Sequence, residues 1–457
     1  MALSFRVLLR FRPPTGRGAG IACVACVALS LTTLALPGLL LAQEGPRPNA
    51  EAAALARADS IRAAMAEIRP PNRHPTDVAD VVSVPFRVIA APIHLVLVQL
   101  PSWVIGEFSL PRPPGLLVRT IRGLRELGIH PGVSTAIGPR SGPAGTLRFD
   151  ALDPVALEAA YSMRGSQRYW LGGRTEAGRL RVEAGTGWRR DAQVAFYGIG
   201  PSTPDDLTLY RRETLDMGIG GELTSAPLRL RADIGYEDNL IREPIGGANE
   251  PSLFESFDVD GLFGATERLR YLRFGAGAEL DLSRRVGFQD RGVRLRAGAT
   301  RFEGVTGTDS DFHKFRLEAQ GLAPLNSRQL LALRARTDLT RGSGGAVPFY
   351  HLAELGGEQT AIGFPDTRFR DLDMVSLVAE WRYEIWRDIH NGVRVESFVH
   401  FGEGAVGQRL SMISADDWRA SYGFGFRAAR TETLLGLLYL GFSEEGARFG
   451  VSGEWTP

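Results

Sequence analysis

Cysteine is nearly absent from this sequence of 457 residues. The two cysteines, Cys23 and Cys26, both lie within the first 42 residues. If that segment is removed, the remaining chain has no thiol for a disulfide, a catalytic nucleophile or a metal site. Such a chain is typical of a protein that is exported into an oxidising compartment.

An excess of charge of either sign is also missing. The chain has 53 basic and 52 acidic residues, and its single lysine is Lys314. Proteins that bind nucleic acid carry clustered positive charge, and this sequence has no comparable basic excess. We therefore expect no nucleic acid among its partners.

Residues that would carry catalysis or hold a metal are too scattered to form a site. The histidines at 351, 390 and 400 share no strand face at metal-ligand spacing. Ser397 and His400 are close in sequence, but their opposite parity places them on opposite faces of a strand. We expect no catalytic residue, no metal and no cofactor, and we interpret the chain as a non-enzyme.

The N-terminus has the layout of a secretory signal peptide. Four arginines precede an apolar run from Gly20 to Leu41, and the small residue Ala42 follows it. The sequence therefore predicts a signal peptide over residues 1–42. A retained membrane anchor is the alternative interpretation.

Residues 43–130 predict a helical and proline-rich segment. Asn49 caps an alanine-rich amphipathic stretch that ends at Ile68. The apolar stretch from Val78 to Phe108 has the length of a membrane span, but several prolines and polar residues interrupt it. We predict short broken helices at the periplasmic rim of a barrel or in its lumen, with a buried helical cap as the alternative.

From residue 131 to residue 457 the hydrophobic period changes to two. Between Leu228 and Tyr236, for example, apolar residues alternate with charged residues and glycine. The alternation often continues over nine or more residues, enough to cross a bilayer at a tilt. Because only a closed sheet satisfies every backbone group in lipid, this pattern predicts an antiparallel transmembrane β-barrel. A soluble two-sheet sandwich is the alternative.

The length of this region sets the strand number. At roughly 20 residues per strand and connection, we expect about 16 strands. Five of them follow a glycine-rich loop, at 374–387, 392–402, 417–430, 433–443 and 446–455. The long loop from 341 to 373 would then follow the eleventh strand and start on the extracellular side.

The loop contains the segment GGEQTAIGF, Gly356 to Phe364. Gly356, Gly357 and Gly363 allow backbone conformations and close approaches that other residues forbid. Phe364 is the candidate anchor of a tip that folds into the lumen. A solvated surface turn is the alternative.

Charged residues flank this tip on both sides of the predicted lumen. Arg368 and Arg370 lie in the loop, and we expect them to pair with lumen acids, for which the candidates are Glu380, Glu384 and Glu396. Glu380 and Arg382 share the lumen face of the next strand. Their alternative interpretation is a salt bridge with no role beyond packing.

Four of these segments resemble motifs of the BamA/TamA-type outer-membrane assembly barrels, the bacterial surface antigen family. That family has two glycines, three residues and then Val-Arg-Gly-Phe, and the spacing of Gly356–Phe364 is similar. Glu380-Trp381-Arg382 corresponds to the family's Glu-Tyr-Arg, and Phe196–Pro201 resembles its Phe-Tyr-Gly-Ile-Gly stretch. The final strand, Arg448–Trp455, resembles its terminal aromatic signal.

Three features depart from the family pattern. Ile362 stands where the family has the loop arginine, and His400 stands where it has an aspartate. In addition, residues 43–130 are too short and too apolar for several of the periplasmic domains that receive client chains. The resemblance therefore implies a barrel-only member of the family.

The resemblance implies a function at the bacterial outer membrane. The protein would insert or export protein or lipid there, with outer-membrane lipid and client outer-membrane or secreted proteins as its partners. A passive or gated pore for small solutes is the alternative function. A surface antigen with a structural role only is a third.

Overall fold

The computed structural model describes residues 123–135, 137–245, 249–286, 289–305, 307–342, 347–388, 393–430 and 433–455. The predicted signal peptide and residues 43–122 of the predicted helical segment lie outside the described residues, so both stay predictions. No helix in the described part of the chain has the length and hydropathy to cross a membrane.

One antiparallel sheet dominates the structure. Its first nine strands are β1 (Ile129–Ser134), β2 (Ala144–Leu152), β3 (Val155–Ser162), β4 (Gln167–Ala177), β5 (Leu180–Phe196), β6 (Thr208–Ser225), β7 (Leu228–Arg242), β8 (Leu269–Asp281) and β9 (Arg284–Val286). The strands that follow are β10 (Gln289–Gly304), β11 (Phe312–Pro324), β12 (Gln329–Gly342), β15 (Asp373–Asp388), β16 (Val393–Gly407), β17 (Arg419–Arg430), β18 (Thr433–Ser443) and β19 (Gly446–Trp455). Two short strands, β13 (Ala353–Leu355) and β14 (Phe369–Asp371), pair with each other outside this sheet.

The sheet closes on itself, because its strands pair in sequence order and β1 also pairs with β19. The short β9 pairs with β10 as a continuation of β8, so β8 and β9 together form one barrel strand. The result is a nearly closed antiparallel barrel of 16 strands, which confirms the predicted fold class and strand number.

The two faces of the wall follow the predicted alternation. On β16, Val399 and Phe401 are exposed on the outside, whereas Phe398 and His400, which alternate with them, are buried on the inside. On β17 the exposed outward side chains are Tyr422, Phe424 and Phe426. A single closed sheet with an apolar outer face excludes the soluble sandwich, whose apolar face would be covered.

The two ends of the barrel differ in the length of their connections. One end has turns of two to four residues, such as 178–179 and 325–328, and the other has loops such as 243–268 and 343–372. Short turns face the periplasm in such barrels and long loops face the outside. The loop after β12, the eleventh barrel strand, therefore lies at the extracellular end with five strands after it, as predicted.

An aromatic core fills the extracellular half of the lumen. Phe196, Tyr210 and Phe349 meet edge to face, with ring centroids 5.3 and 5.0 Å apart, and Phe302 stacks on Phe312 at 4.5 Å. A short helix, α1 (Leu253–Ser256), adds the buried Leu253 to the same core. The core is built from wall strands and extracellular loops together, so the loops cap the lumen.

Candidate functional site

The glycine-rich segment of the loop between β12 and β15 forms a compact turn. Gly356 and Gly357 have φ angles of +129° and +81°, and a Cβ atom on either would collide with Pro365 or Asp366. The Thr360 hydroxyl donates to the Gly356 carbonyl at 2.9 Å, and the Gly357 amide donates to the Phe364 carbonyl at 3.1 Å. The predicted requirement for glycine at these two positions therefore has a geometric basis.

The turn lies against the inner wall of the barrel. A Cβ on Gly402 would be 2.5 Å from the Thr360 carbonyl, and a Cβ on Gly441 would be 2.5 Å from the Ile362 carbonyl. Gly423, between them, would place its Cβ 3.0 Å from the Ile362 side chain. Three lumen-facing glycines on β16, β17 and β18 thus form the surface on which the loop tip rests.

The apolar residues of the tip are fully buried. Ile362 packs with Phe398 and Tyr439, and Phe364 meets Phe369 edge to face at 5.2 Å. Gly363 lies so close to the backbone of Phe442 that a Cβ would collide with its carbonyl. The tip is therefore folded into the lumen and is not a solvated surface turn.

Polar contacts join the loop to the last two strands. The Ser452 hydroxyl of β19 donates to Glu358 Oε2 at 2.7 Å, and Arg448 of the same strand donates to the Phe364 carbonyl. On β18, the Ser443 hydroxyl donates to the Gly363 carbonyl at 3.1 Å. The loop thus holds the final hairpin from inside the barrel.

Arg368 is buried at the extracellular end of the lumen. Its Nε lies 2.6 Å from Glu445 Oε1, and its other nitrogens donate to the hydroxyl and the carbonyl of Thr203. The guanidinium also stacks over the rings of Tyr197 and Phe369 at 4.8 and 4.6 Å.

Arg370 is the largest fully buried side chain of the described residues. Its guanidinium donates to the Tyr210 hydroxyl and to the Ala195 carbonyl, both at 3.2 Å, and lies 3.2 Å from Glu354. Its own carbonyl accepts from the Gly200 amide at 2.8 Å. The loop and the Phe196–Pro201 segment, which share only a family resemblance in the sequence, therefore meet in space.

The expected pairing of Arg368 and Arg370 with Glu380, Glu384 or Glu396 is wrong. Arg368 precedes β14 and Arg370 lies within it, both near the outer rim, whereas the three acids lie further toward the periplasmic ends of β15 and β16. The arginines pair with Glu445 and Glu354 instead, because these carboxylates lie at their own level of the barrel.

Glu380 and Arg382 belong to a second, ionic cluster on the inner wall. Arg382 Nε donates to Glu380 Oε2 at 2.8 Å, and His400 Nδ1 lies 3.3 Å from Glu380 Oε1. Arg427 bridges Glu380 and Glu396 at 3.9 and 3.3 Å. The histidine at the family's aspartate position thus contributes a partner for Glu380 from the wall itself.

The junction between the first and last strands is the weakest contact of the barrel wall. Within the described residues, β1 pairs with β19 only through Val133 and Ser134, opposite Trp455 and Glu454. Above them the Thr135 hydroxyl donates to the Gly453 carbonyl at 2.9 Å and accepts from the Gly453 amide at 2.7 Å. By contrast, β18 and β19 pair continuously from Gly436 to Ser443.

A groove of about 510 Å³ lies at this junction. Its outward-facing lining includes Val133, Phe426, Leu438 and Val451. From Gly446 to Ser452, on the extracellular side of Gly453, the edge of β19 has no strand partner on the β1 side among the described residues. We refer to the β1–β19 junction with this groove as the seam.

Sequence reasoning missed several residues that build this arrangement. Glu358 and Ser452 gave no signal, because their contact joins positions 94 residues apart. The three wall glycines at 402, 423 and 441 gave a signal that could have been used. They occupy lumen-facing positions, where glycine leaves room for an approaching backbone.

Comparison with known proteins places the barrel among characterised folds. Residues 215–431 match the Omp85 superfamily domain. BamA from Haemophilus ducreyi, in a form lacking POTRA domains 1-3, has a TM-score of 0.51 and 16% identity, and the match covers 72% of this chain and 69% of that chain. At this identity the likeness shows the fold.

Two CdiB structures are also similar. CdiB from Escherichia coli has a TM-score of 0.48 and 12% identity, with 72% of this chain and 63% of that chain covered. CdiB from Acinetobacter baumannii has a TM-score of 0.43 and 10% identity, with coverages of 72% and 59%. No curated protein matches the sequence.

Proposed function

The chain carries an Omp85 superfamily domain and is a bacterial outer-membrane protein, and on this premise we propose that it inserts or exports client proteins through the seam. The proposal covers lipid as a client by the same route. It assigns the protein no enzymatic activity.

The observation that supports the proposal is the unpaired edge of β19. A strand edge with free N–H and C=O groups is a template on which another strand can add. In this barrel the edge lies beside a short β1, and the local wall is held by two residue pairs and by the hydroxyl and the amide of Thr135. A client strand could pair with β19 without first breaking a long ladder.

The loop tip gives this mechanism a fixed support. Because Glu358 and Phe364 are bonded to β19 from the lumen side, the last strand stays in place when β1 separates from it. The template edge would then keep its twist and register while the seam opens.

The test is a disulfide across the seam. Cysteines at Ser134 and Glu454, which lie opposite each other in the register, can bridge because opposed Cα atoms in an antiparallel pair are about 5 Å apart. We expect oxidation to abolish assembly of an unfolded eight-stranded client barrel in proteoliposomes, and reduction to restore it. The barrel itself should keep its folded electrophoretic mobility.

A matched control places the disulfide one strand away. Cysteines at Leu440 and Phe449 join β18 and β19 at an outward-facing pair outside the groove, so this bridge leaves the seam free. This variant should assemble clients equally well when oxidised and when reduced. Full activity of the oxidised 134–454 variant would refute the seam mechanism.

The alternative function is a pore, and the charged lumen favours it. Arg296, for example, bridges Glu279 and Glu318 across three strands, at 2.8 Å to each. A pore predicts steady ion conductance in planar bilayers that survives the seam disulfide and rises when residues 341–373 are deleted. The aromatic core and the docked loop tip argue against this function, because they fill the lumen that ions would cross.

A further inference from the structure

A row of side chains on the outer face of the barrel wall is buried. The register places these residues opposite one another on neighbouring strands: Ala159 on β3, Tyr169 on β4, Trp188 on β5 and Leu215 on β6. They pack into one cluster, and each is at most 5% exposed. We call these four residues the covered row.

Strand parity shows that the covered row faces away from the lumen. Side chains of the same parity lie on the same face of a strand. Val155, Leu171 and Ile219 have the parity of the row on β3, β4 and β6, and they are 39 to 51% exposed on the outer face. The ladders between these positions are regular, so no bulge turns the row inward.

A single layer of strands does not bury its own outer face to this extent. The side chains stand perpendicular to the sheet, so neighbours on the wall cover only their flanks. Trp381, on the outer face of β15, has the ring of Tyr383 at 6.3 Å and is still 39% exposed. Trp188 has the ring of Tyr169 at 5.9 Å and is only 5% exposed. A second layer of protein therefore lies on the covered row.

The described residues do not supply this second layer. The other hydrophobic side chains among them that pack against the row are Leu147 and Met217, and both belong to the wall. The gaps between the described ranges hold one to four residues each. Such a gap is too short to leave the end of a strand and cover a row across four strands. This leaves the part of the chain that precedes Gly123.

The register connects the covered row to the strand at which the chain enters the barrel. Ala159 lies opposite Leu147 on β2, and Leu147 lies opposite Pro131 on β1. On the outer face of β1 itself, Ile129 is buried, whereas Val133 further along the strand is exposed. The buried part of the outer face thus begins at the entry point. A segment that precedes β1 can run along the wall from β1 toward β6.

Residues 78–108 have the composition and the length to cover the row. From Val88 to Gly106 there is no aspartate, glutamate, arginine or lysine, so this stretch is compatible with the hydrocarbon region. The five strand spacings from β1 to β6 add up to about 24 Å, and a helix of about 16 residues has this length. By contrast, residues 51–68 and 109–122 each carry several charged side chains.

We propose that residues 78–108 of this chain pack over the covered row, on the lipid-facing side of β3 to β6. Their apolar side chains would meet Trp188 and Leu215 in place of lipid. The segment would then lie on the outside of the wall, and not at the periplasmic rim or in the lumen. The proposal rests on the burial of the wall and does not depend on the proposed function.

The test is photo-cross-linking of the full chain in vesicles of palmitoyl-oleoyl phosphatidylcholine. Benzoylphenylalanine in place of Trp188 should cross-link to a residue within 78–108, which peptide mass mapping locates. The matched control carries the same probe in place of Trp381, the exposed outward tryptophan. It should give lipid adducts and no cross-link to residues 78–108.

A reciprocal probe leaves the sequence of the wall intact, so it serves even if the variant at Trp188 does not fold. Benzoylphenylalanine in place of Leu97 should cross-link to peptides of β4, β5 or β6. Lipid adducts alone from position 188 would overturn the proposal, and so would cross-links from position 97 to lumen-facing residues. A cross-linked dimer on a denaturing gel would assign the cover to a second copy and overturn the assignment to residues 78–108.

Discussion

Ser452 on the last strand of the barrel donates a hydrogen bond of 2.7 Å to Glu358 in the loop after β12. Ser452 is next to Gly453, the residue that Thr135 holds at the top of the seam. The loop and the seam are therefore two adjacent attachments of the same strand, one from the lumen and one from the wall.

This contact should have a measurable coupling energy. Glu358→Ala and Ser452→Ala should each destabilise the barrel, and the double variant should lose less than the sum of the two. A hydrogen bond to a charged group predicts a coupling of about 1.5 to 3 kcal/mol. The measurement is urea unfolding of the detergent-solubilised protein.

The control for this double-mutant cycle combines Glu358→Ala with Thr224→Ala, a substitution at the periplasmic end of β6. These two residues share no contact in the described structure, so their effects should add. Additive effects for Glu358 and Ser452 as well would mean that the bond contributes nothing to stability.

The wall glycines should be intolerant of a methyl group where the loop tip docks. Gly441→Ala would place its Cβ 2.5 Å from the Ile362 carbonyl, so we expect a loss of about 1 to 3 kcal/mol from overpacking. The displaced loop should also become sensitive to protease. Thermal unfolding and limited proteolysis measure the two effects.

Gly298 on β10 is the matched control for Gly441. It also faces the lumen, but its nearest neighbour, the Ala276 carbonyl, is 3.8 Å from the position of a Cβ. Gly298→Ala should change stability by less than about 0.5 kcal/mol. An equal loss of stability in both variants would mean that the cost comes from replacing any glycine in a strand and not from displacing the docked loop.

The extracellular loops that cap the lumen should become less stable as the pH falls. His351 is buried 3.2 Å from Glu237, and burial lowers the pKa of His351 from 6.5 to about 4. The unfolded chain therefore binds a proton at a higher pH than the folded chain does. Stability is complete above about pH 6.5 and falls as the pH drops to about 4, by roughly 3 kcal/mol over this window.

His351→Gln should remove most of that pH dependence, because glutamine does not titrate. Hydrogen exchange of the loop over residues 347–372, followed between pH 7 and pH 4, is a suitable measurement. If parent and variant lost protection equally, His351 would not be the group responsible.

Lys314 offers a probe of the lumen, since it is the single lysine of the chain and faces inward beside Phe312. Arg370→Met removes the bonds from Arg370 to Tyr210, the Ala195 carbonyl and Glu354. We expect this variant to react about tenfold faster with an amine reagent at Lys314, as the cap opens more often. Peptide mass mapping separates Lys314 from the N-terminal amine.

Arg334→Met is the control variant, because it also removes one positive charge from the lumen. Arg334 also reaches the loop, but it is only half-buried and makes a single, solvent-exposed hydrogen bond there, to the Gln359 carbonyl. Its labelling rate at Lys314 should stay near that of the parent. A similar rate in the Arg370 variant would show that Arg370 does not hold the cap closed.

The sequence was sufficient to predict the barrel, its strand number and the position of the long loop. These features follow from a period of two and from the length needed to cross a bilayer, which are local properties of the chain. Strands predicted at 433–443 and 446–455 agree with β18 and β19. The strand predicted at 392–402 continues to Gly407, because above the membrane β16 keeps pairing with β15.

The partners of the charged loop residues were not predictable in this way. Arg370 reaches Tyr210 and Ala195, which are 160 and 175 residues away, and no repeat or spacing links those positions. Parity gives the face of a strand on which a residue lies, but it does not give the height at which a loop re-enters the lumen. The pairing expected for Arg368 and Arg370 was wrong because both arginines lie nearer the extracellular end of the barrel than the three acids do.

The Thr135 hydroxyl gives the seam a two-stage release. Rotation about a single side-chain torsion would free the Gly453 amide, while the Thr135 amide would still hold the Gly453 carbonyl at 3.0 Å. The uppermost link between the first and last strands can thus loosen on the timescale of a rotamer change, without movement of either backbone. Because rotamer changes are far faster than strand separation, the amide that a client strand would need first could be available before the barrel wall has opened.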